Sequence, residues 1–206
     1  MKIKNGIFIT FEGPEASGKS SQIILLKKYL NKKKLPFIVT REPGGTKIAE
    51  KLRTLILSNK LKISNKEEIL LLMASRINHI NNVIMPNLKR GKIVISDRYA
   101  DSTFVYQGYV NKFGVKKAKA LHKELLNNFY PDYTFIFNLN IKEIINRLKK
   151  RKIKNKYDKI SKDFHQSVID GYEKISSAKR YFKIDASLSK KSIHKKIIEI
   201  LNLKNE

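Results

Sequence analysis

Short apolar runs rich in β-branched and aromatic residues alternate along this chain with longer stretches whose apolar positions recur at helical spacing. The short runs are residues 7–11, 37–40, 93–96, 133–139 and 181–184. They lack the in-and-out alternation of a half-solvated strand, so they predict strands buried on both faces of a parallel sheet. The longer stretches, 20–33, 46–57, 66–88, 115–128, 142–150, 163–178 and 190–201, predict helices. Strands alternating with helices of this length imply right-handed βαβ crossovers and a doubly wound α/β fold, a parallel five-stranded sheet flanked by helices. A chain of 206 residues is long enough for one such domain with a full core. It contains no internal repeat and no Pro- or Ser-rich linker.

The first strand runs straight into Gly13-Pro14-Glu15-Ala16-Ser17-Gly18-Lys19-Ser20, a complete G-x-x-x-x-G-K-[ST] loop ahead of a helix. Its glycines let successive backbone N–H groups face phosphates, Lys19 supplies a mobile cation, and Ser20 offers a hydroxyl to Mg²⁺. The helix N-terminus adds its partial positive charge. The octapeptide marks a protein that handles ATP or GTP.

Composition refines this. The formal net charge is +26, but only 8 of the 44 basic residues are Arg, and the Lys are spread over almost every polar stretch. That spread reads as a compositional bias on solvated faces and argues against a nucleic-acid footprint, while favouring anionic nucleotides. Cys is absent, which excludes disulfides and thiolate metal sites. No segment approaches the ~20 apolar residues needed to cross a bilayer, and the N-terminus lacks a secretory pattern, so a soluble cytoplasmic protein without membrane partners is expected. One stretch, 149–159, has almost no apolar content and cannot bury a face. Beside a phosphate loop, this basic segment, extended to 149–163, is expected to be a mobile lid over ATP.

Further candidates sit where strands end. The third strand closes in Asp97-Arg98-Tyr99. An acidic residue at the carboxyl end of a parallel strand lies at the rim where open sheets bind ligands, so Asp97 is expected to partner Ser20 around Mg²⁺. Arg98 can fork two phosphate oxygens. The second strand ends in Thr40-Arg41-Glu42-Pro43-Gly44-Gly45-Thr46, an irregular loop presenting Arg41 at the same rim. Arg76 lies in an otherwise apolar helix; its residue type alone leaves a snorkelling surface role open.

Together these motifs, with Ser102-Thr103 and Tyr106-Gln107-Gly108 after Asp97-Arg98-Tyr99 and with Pro131-Asp132 and Ile184-Asp185-Ala186 at later strands, closely resemble the thymidylate kinase family along the whole chain. The resemblance implies phosphorylation of dTMP to dTDP by Mg-ATP in a homodimer with the architecture of phosphate-loop nucleoside-monophosphate kinases. Residues 13–20 would bind ATP, with Lys19 and the loop amides on its phosphates and Ser20 and Asp97 placing Mg²⁺. Arg98 would bridge the transferred phosphoryl and the acceptor phosphate. Glu15 would contact the sugar hydroxyl and Arg41 the dTMP phosphate. Arg76 would hydrogen-bond thymine, with Leu72, Thr103, Tyr106 and Gln107 completing the pocket. Ala16 leaves the loop without an internal cation, as in bacterial members whose lid supplies it, so Arg147 and Arg151 are the expected lid contacts with ATP. Leu72 stands where many relatives have Phe, Lys159 follows Asp158 where the family lid has Asp-Arg, and Asn138 replaces a family Asp.

Rival readings are another nucleoside-monophosphate kinase, a deoxynucleoside kinase, or a basic phosphate-loop ATPase acting on nucleic acid. A nucleoside kinase must deprotonate a hydroxyl, for which Glu12 is the candidate base. The pair Arg41 and Arg98 favours an acceptor that already carries a phosphate.

Overall fold

The central strand β1 (Ile7–Glu12) lies between β3 (Ile93–Asp97) and β4 (Tyr133–Asn138), with β2 (Phe37–Arg41) and β5 (Tyr181–Asp185) outside them. All pairings are parallel, in the order β2-β3-β1-β4-β5. This computed structural model describes residues 6–58, 60–150 and 161–202. The strands fall within a residue or two of the sequence expectation, but burial on both faces holds only for β1, β3 and β4; the edge strands β2 and β5 have one neighbour each and stay half-buried, with Val39 exposed.

Alternate residues serve opposite faces. Ile9, Phe11, Ile93, Ile95, Phe135 and Phe137 point into one cluster, covered by α1 (Lys19–Lys32), α7 (Ile141–Lys149) and α9 (Lys190–Leu201). Phe8, Val94 and Ile136 point into the other, under α3 (Asn65–His79), α6 (Val115–Leu126) and α8 (Lys162–Ile175). Asp132 starts β4 by accepting the Phe8 amide at 2.8 Å. Helix α2 (Lys47–Ile56) opens on Thr46, whose hydroxyl accepts from the Ala49 amide, and α3 opens on a capping box between Ser64 and Glu67. These caps satisfy N-terminal amides that have no partner within their helix.

Two helical expectations are corrected. The span 66–88 is not one α-helix: after α3 the chain passes through a π-helical stretch, Ile80–Ile84, into the short α4 (Met85–Lys89). Pro86 has no N–H to donate one turn back, so the ladder changes register there. The second correction is a helix the pattern did not indicate, α5 (Ala100–Thr103), continued by a π-helical stretch, Phe104–Val110. Its Ser, Thr, β-branched, aromatic and Gly residues are weak helix formers, and burial of Phe104, Val105 and Tyr106 against α8 and α6 holds it. The expected lid, 149–163, falls largely on 151–160, outside the described residues; its described ends are the close of α7 and the start of α8.

Candidate active site

The carboxyl ends of β1, β2 and β3 open onto the loop 13–18 and the start of α1. Gly13 has φ +133°, and a Cβ there would lie 2.7 Å from the Phe137 carbonyl oxygen, so the loop passes too close to β4 for any side chain. Lys19 folds back over the loop. Its Nζ donates to the carbonyls of Gly13 at 3.0 Å and Pro14 at 2.8 Å. Burial, with Arg98 next in weight, pushes the Lys19 ammonium down to about 8 against the pull of Glu15, Asp97 and Glu12. A phosphate would displace weak carbonyl partners and relieve both causes.

Ser20 is exposed, and its hydroxyl donates to Asp97 Oδ2 at 3.3 Å across the β1–β3 boundary. One hydroxyl and one carboxylate are hard oxygen donors and suit Mg²⁺, which keeps waters and takes its remaining ligands from substrate phosphates. Among the described residues no group of three or more His, Cys, Asp or Glu is placed to hold a metal ion.

Arg98 leaves β3 with φ 72°, a backbone conformation disfavoured for residues with a Cβ. Its Nη1 donates to the Gly13 carbonyl at 3.0 Å and to the Ser102 and Tyr172 hydroxyls at 3.1 Å each, and Nη2 donates to Glu15 Oε1 at 2.7 Å. The guanidinium also lies 5.3 Å from the centroid of the Tyr106 ring. Phosphate loop, third strand and α5 thus converge on one cation.

Arg76 comes from α3, Glu42 from the loop after β2. Nε of Arg76 donates to Glu42 Oε2 at 2.7 Å and Nη2 to Thr103 Oγ1 at 2.8 Å, while Nη1 has the Met73 sulfur at 3.8 Å. The other Glu42 oxygen meets His79 Nδ1 at 2.9 Å, and His79 Nε2 meets Thr40 Oγ1 at 2.6 Å. Burial resists ionisation of Glu42, but Arg76 and then His79 hold its carboxyl below the usual range. Gly45 makes room for this chain of contacts: a Cβ there would fall 2.5 Å from His79 Nε2.

The expected residues meet in two recesses flanking the loop. Glu15, Lys19, Ser20, Arg41, Leu72, Arg76, Asp97, Arg98, Thr103, Tyr106 and Gln107 line one open cleft. Gln107 Nε2 donates to Glu68 at 2.7 Å, and Leu72 presents an aliphatic wall. Ala16, Ser17, Gly18 and Arg147 line the second recess with Gln22, Ala186, Leu188 and Lys190. Arg147 Nη2 donates to the Ala186 carbonyl at 2.9 Å, bracing that wall. Arg151 lies outside the described residues.

Arg41, expected on a phosphate, is paired twice with Glu50, at 3.2 and 3.0 Å, on an exposed rim. Sequence reasoning missed Arg53, which lines the same cleft and donates to the Pro43 carbonyl at 2.8 Å. Its signal was available: an Arg in a chain that uses Lys almost everywhere else. Tyr172 was also missed, and nothing near it in sequence points to the site.

The thymidylate kinase family model matches residues 11–197. Among curated proteins, a thymidylate kinase of Mycoplasma mobile is 42% identical over 93% of this chain and 96% of that protein. One from Rickettsia bellii is 39% identical over 98% of both. The crystal structure of thymidylate kinase from Ehrlichia chaffeensis superposes with a TM-score of 0.75 at 31% identity, covering 96% of this chain and 99% of that one.

Proposed function

Since the chain belongs to the thymidylate kinase family, we propose that it phosphorylates dTMP to dTDP with ATP as donor and Mg²⁺ as the accompanying metal. The observation that carries this reading is that Lys19 and Arg98 line one cleft while Ala16 to Gly18 of the same loop line a second recess. ATP takes the recess beside Ala16 to Gly18 and Arg147, and dTMP the cleft beside Arg76 and Tyr106. Phosphoryl transfer needs its reactants aligned and its charge neutralised more than it needs a base, because the acceptor is already an anionic phosphate.

In this reading Lys19 leaves the Gly13 and Pro14 carbonyls for the donor phosphates, and Arg98 faces both the transferred phosphoryl and the acceptor. Ser20 and Asp97 hold Mg²⁺, which would spread the phosphate charge when bound. Glu15 accepts from the sugar hydroxyl, Arg41 and Arg53 take the dTMP phosphate, and Arg76 Nη1 reads the thymine ring above Leu72. The basic segment 149–163, including Arg151, closes over ATP within a single domain. Exposed Ile48, Leu55 and Leu70 on α2 and α3 support a homodimer, and among the described residues no helix is long and apolar enough to cross a membrane, in keeping with a cytoplasmic enzyme.

A nucleoside acceptor is disfavoured by Glu12, its candidate base. Glu12 is fully buried, its oxygens are taken by the Tyr99 amide and the Ser102 and Tyr172 hydroxyls, and it does not line the cleft. A coupled assay with dTMP, dUMP, thymidine and dGMP tests the proposal. We expect dTMP to be the best acceptor; faster turnover of thymidine or dGMP overturns it.

A further inference from the structure

Glu12 is a buried carboxylate that the transfer chemistry does not use, yet it stands one contact behind the cation that the chemistry does use. Its Oε2 accepts from the Ser102 hydroxyl at 2.7 Å and from the Tyr172 hydroxyl at 2.9 Å, and its Oε1 accepts from the Tyr99 amide at 2.7 Å. The two hydroxyls lie 2.9 Å from each other, and each is 3.1 Å from Arg98 Nη1. Neither Glu12 nor Tyr172 lines the cleft.

The polarity of this network follows from the donor inventory. A hydroxyl has one proton and two lone pairs, while a guanidinium can only donate. Above about pH 7, where Glu12 is ionised, both hydroxyl protons are committed to the carboxylate, and Ser102 and Tyr172 turn lone pairs toward Arg98. The carboxylate therefore decides which way the hydroxyls face. Without it, a hydroxyl proton could point at the guanidinium and oppose it. Tyr172 comes from α8, Ser102 from α5 and Glu12 from β1, so three separate elements brace one side chain whose backbone is already held in an unfavourable conformation.

We propose that Glu12 and Tyr172 are positioning residues that hold the Arg98 guanidinium through their shared hydroxyl network, fixing its orientation toward the transferred phosphoryl. The inference rests on the assignment of Arg98 in the proposed reaction, but the placement itself is measurable without substrate. Glu12→Gln conserves volume and puts an amide that can donate where, above about pH 7, only an acceptor stood. Tyr172→Phe removes one hydroxyl and leaves the ring.

The test has two readouts. First, side-chain ¹⁵Nε relaxation of Arg98 is measured in nucleotide-free protein; both variants should increase its mobility, and an unchanged Arg98 signal overturns the proposal whether or not the protein phosphorylates dTMP. Second, kcat and KM for dTMP and ATP are measured alongside melting temperature, in wild-type and Arg98→Lys backgrounds. Each variant should lower kcat about tenfold or more, the scale of losing a preorganised transition-state contact, while each KM stays within about threefold. The loss should largely vanish in the Arg98→Lys background, because a residue acting through Arg98 has nothing left to position. An equal loss in both backgrounds, or unaltered kcat in Tyr172→Phe, overturns the proposal. If Glu12→Gln does not fold, Tyr172→Phe decides alone. A wild-type protein that ignores dTMP sinks the functional reading and leaves the relaxation result standing.

Discussion

Arg76 Nε meets Glu42 Oε2 at 2.7 Å with the two side chains 2% and 3% exposed, so the cation that α3 carries toward the cleft arrives already neutralised. Removing one partner of such a pair leaves an uncompensated buried charge, which costs about 3–5 kcal/mol. We expect Glu42→Gln to lose stability on that scale in urea denaturation, and Glu42→Gln with Arg76→Met to recover most of it without recovering turnover of dTMP. A loss below about 1 kcal/mol in the single variant would show that Arg76 escapes to solvent and that the pair does not fix it.

Lys19 offers a protonic signature of nucleotide binding. Its folded value, about 8, lies below the ordinary 10.5, so near pH 8 the free protein holds it only partly protonated. Phosphate oxygens favour the ammonium. Calorimetry of ATP binding near pH 8 in buffers of different ionisation enthalpy should therefore report proton uptake, and Lys19→Met should abolish it. Because the native state binds fewer protons here than the unfolded chain, this group's contribution to stability is present above pH 10.5 and is lost as pH falls through 8, with the sign set by linkage. Lys19→Ala should lower turnover by about 10³-fold with the fold intact.

The 3.3 Å contact between Ser20 Oγ and Asp97 Oδ2 puts a hydroxyl and a carboxylate where a nucleotide-borne metal would find them. Asp97→Asn keeps the shape and removes the charge. The Mg²⁺ concentration giving half-maximal rate should rise at least about tenfold, with little change in melting temperature. An unaltered Mg²⁺ dependence would take Asp97 out of the metal site.

Glu12 should leave a mark on the pH dependence of stability. Burial, then the neighbouring Asp101 charge, pushes its carboxyl from 4.5 up to about 7, against Arg98 and the Ser102 and Tyr172 hydroxyls. Between those values the native state keeps a proton that the unfolded chain has released. The stability this contributes is full below pH 4.5 and is lost as pH rises to about 7. Subtracting the Glu12→Gln curve from the wild-type curve should isolate a fall over that window. A flat difference would mean that the carboxylate is ionised throughout and that its three donors fully offset burial.

The sequence by itself determined whatever is written locally. Residues 13–20 specify a phosphate loop because a glycine turn, a lysine and a helix start must be contiguous to cradle phosphate. The strands were legible because short apolar, β-branched runs between helical stretches pair in a parallel sheet, with β1, β3 and β4 buried inside it, and most helices because their periodicity repeats within a few turns. The register change at Pro86 and the helix from Ala100 were not, since one depends on a ladder bond that proline cannot make and the other on burial overriding weak propensity. Tertiary structure alone decided the partnerships that tune the site. Glu42 and Arg76 are 34 residues apart, Gly13 and Arg98 85, and Glu12 and Tyr172 160. No local pattern encodes which buried donor will face which acceptor across such distances. That choice is made when the sheet order β2-β3-β1-β4-β5 brings the strand ends together and the low dielectric between them leaves each buried polar group in need of a partner.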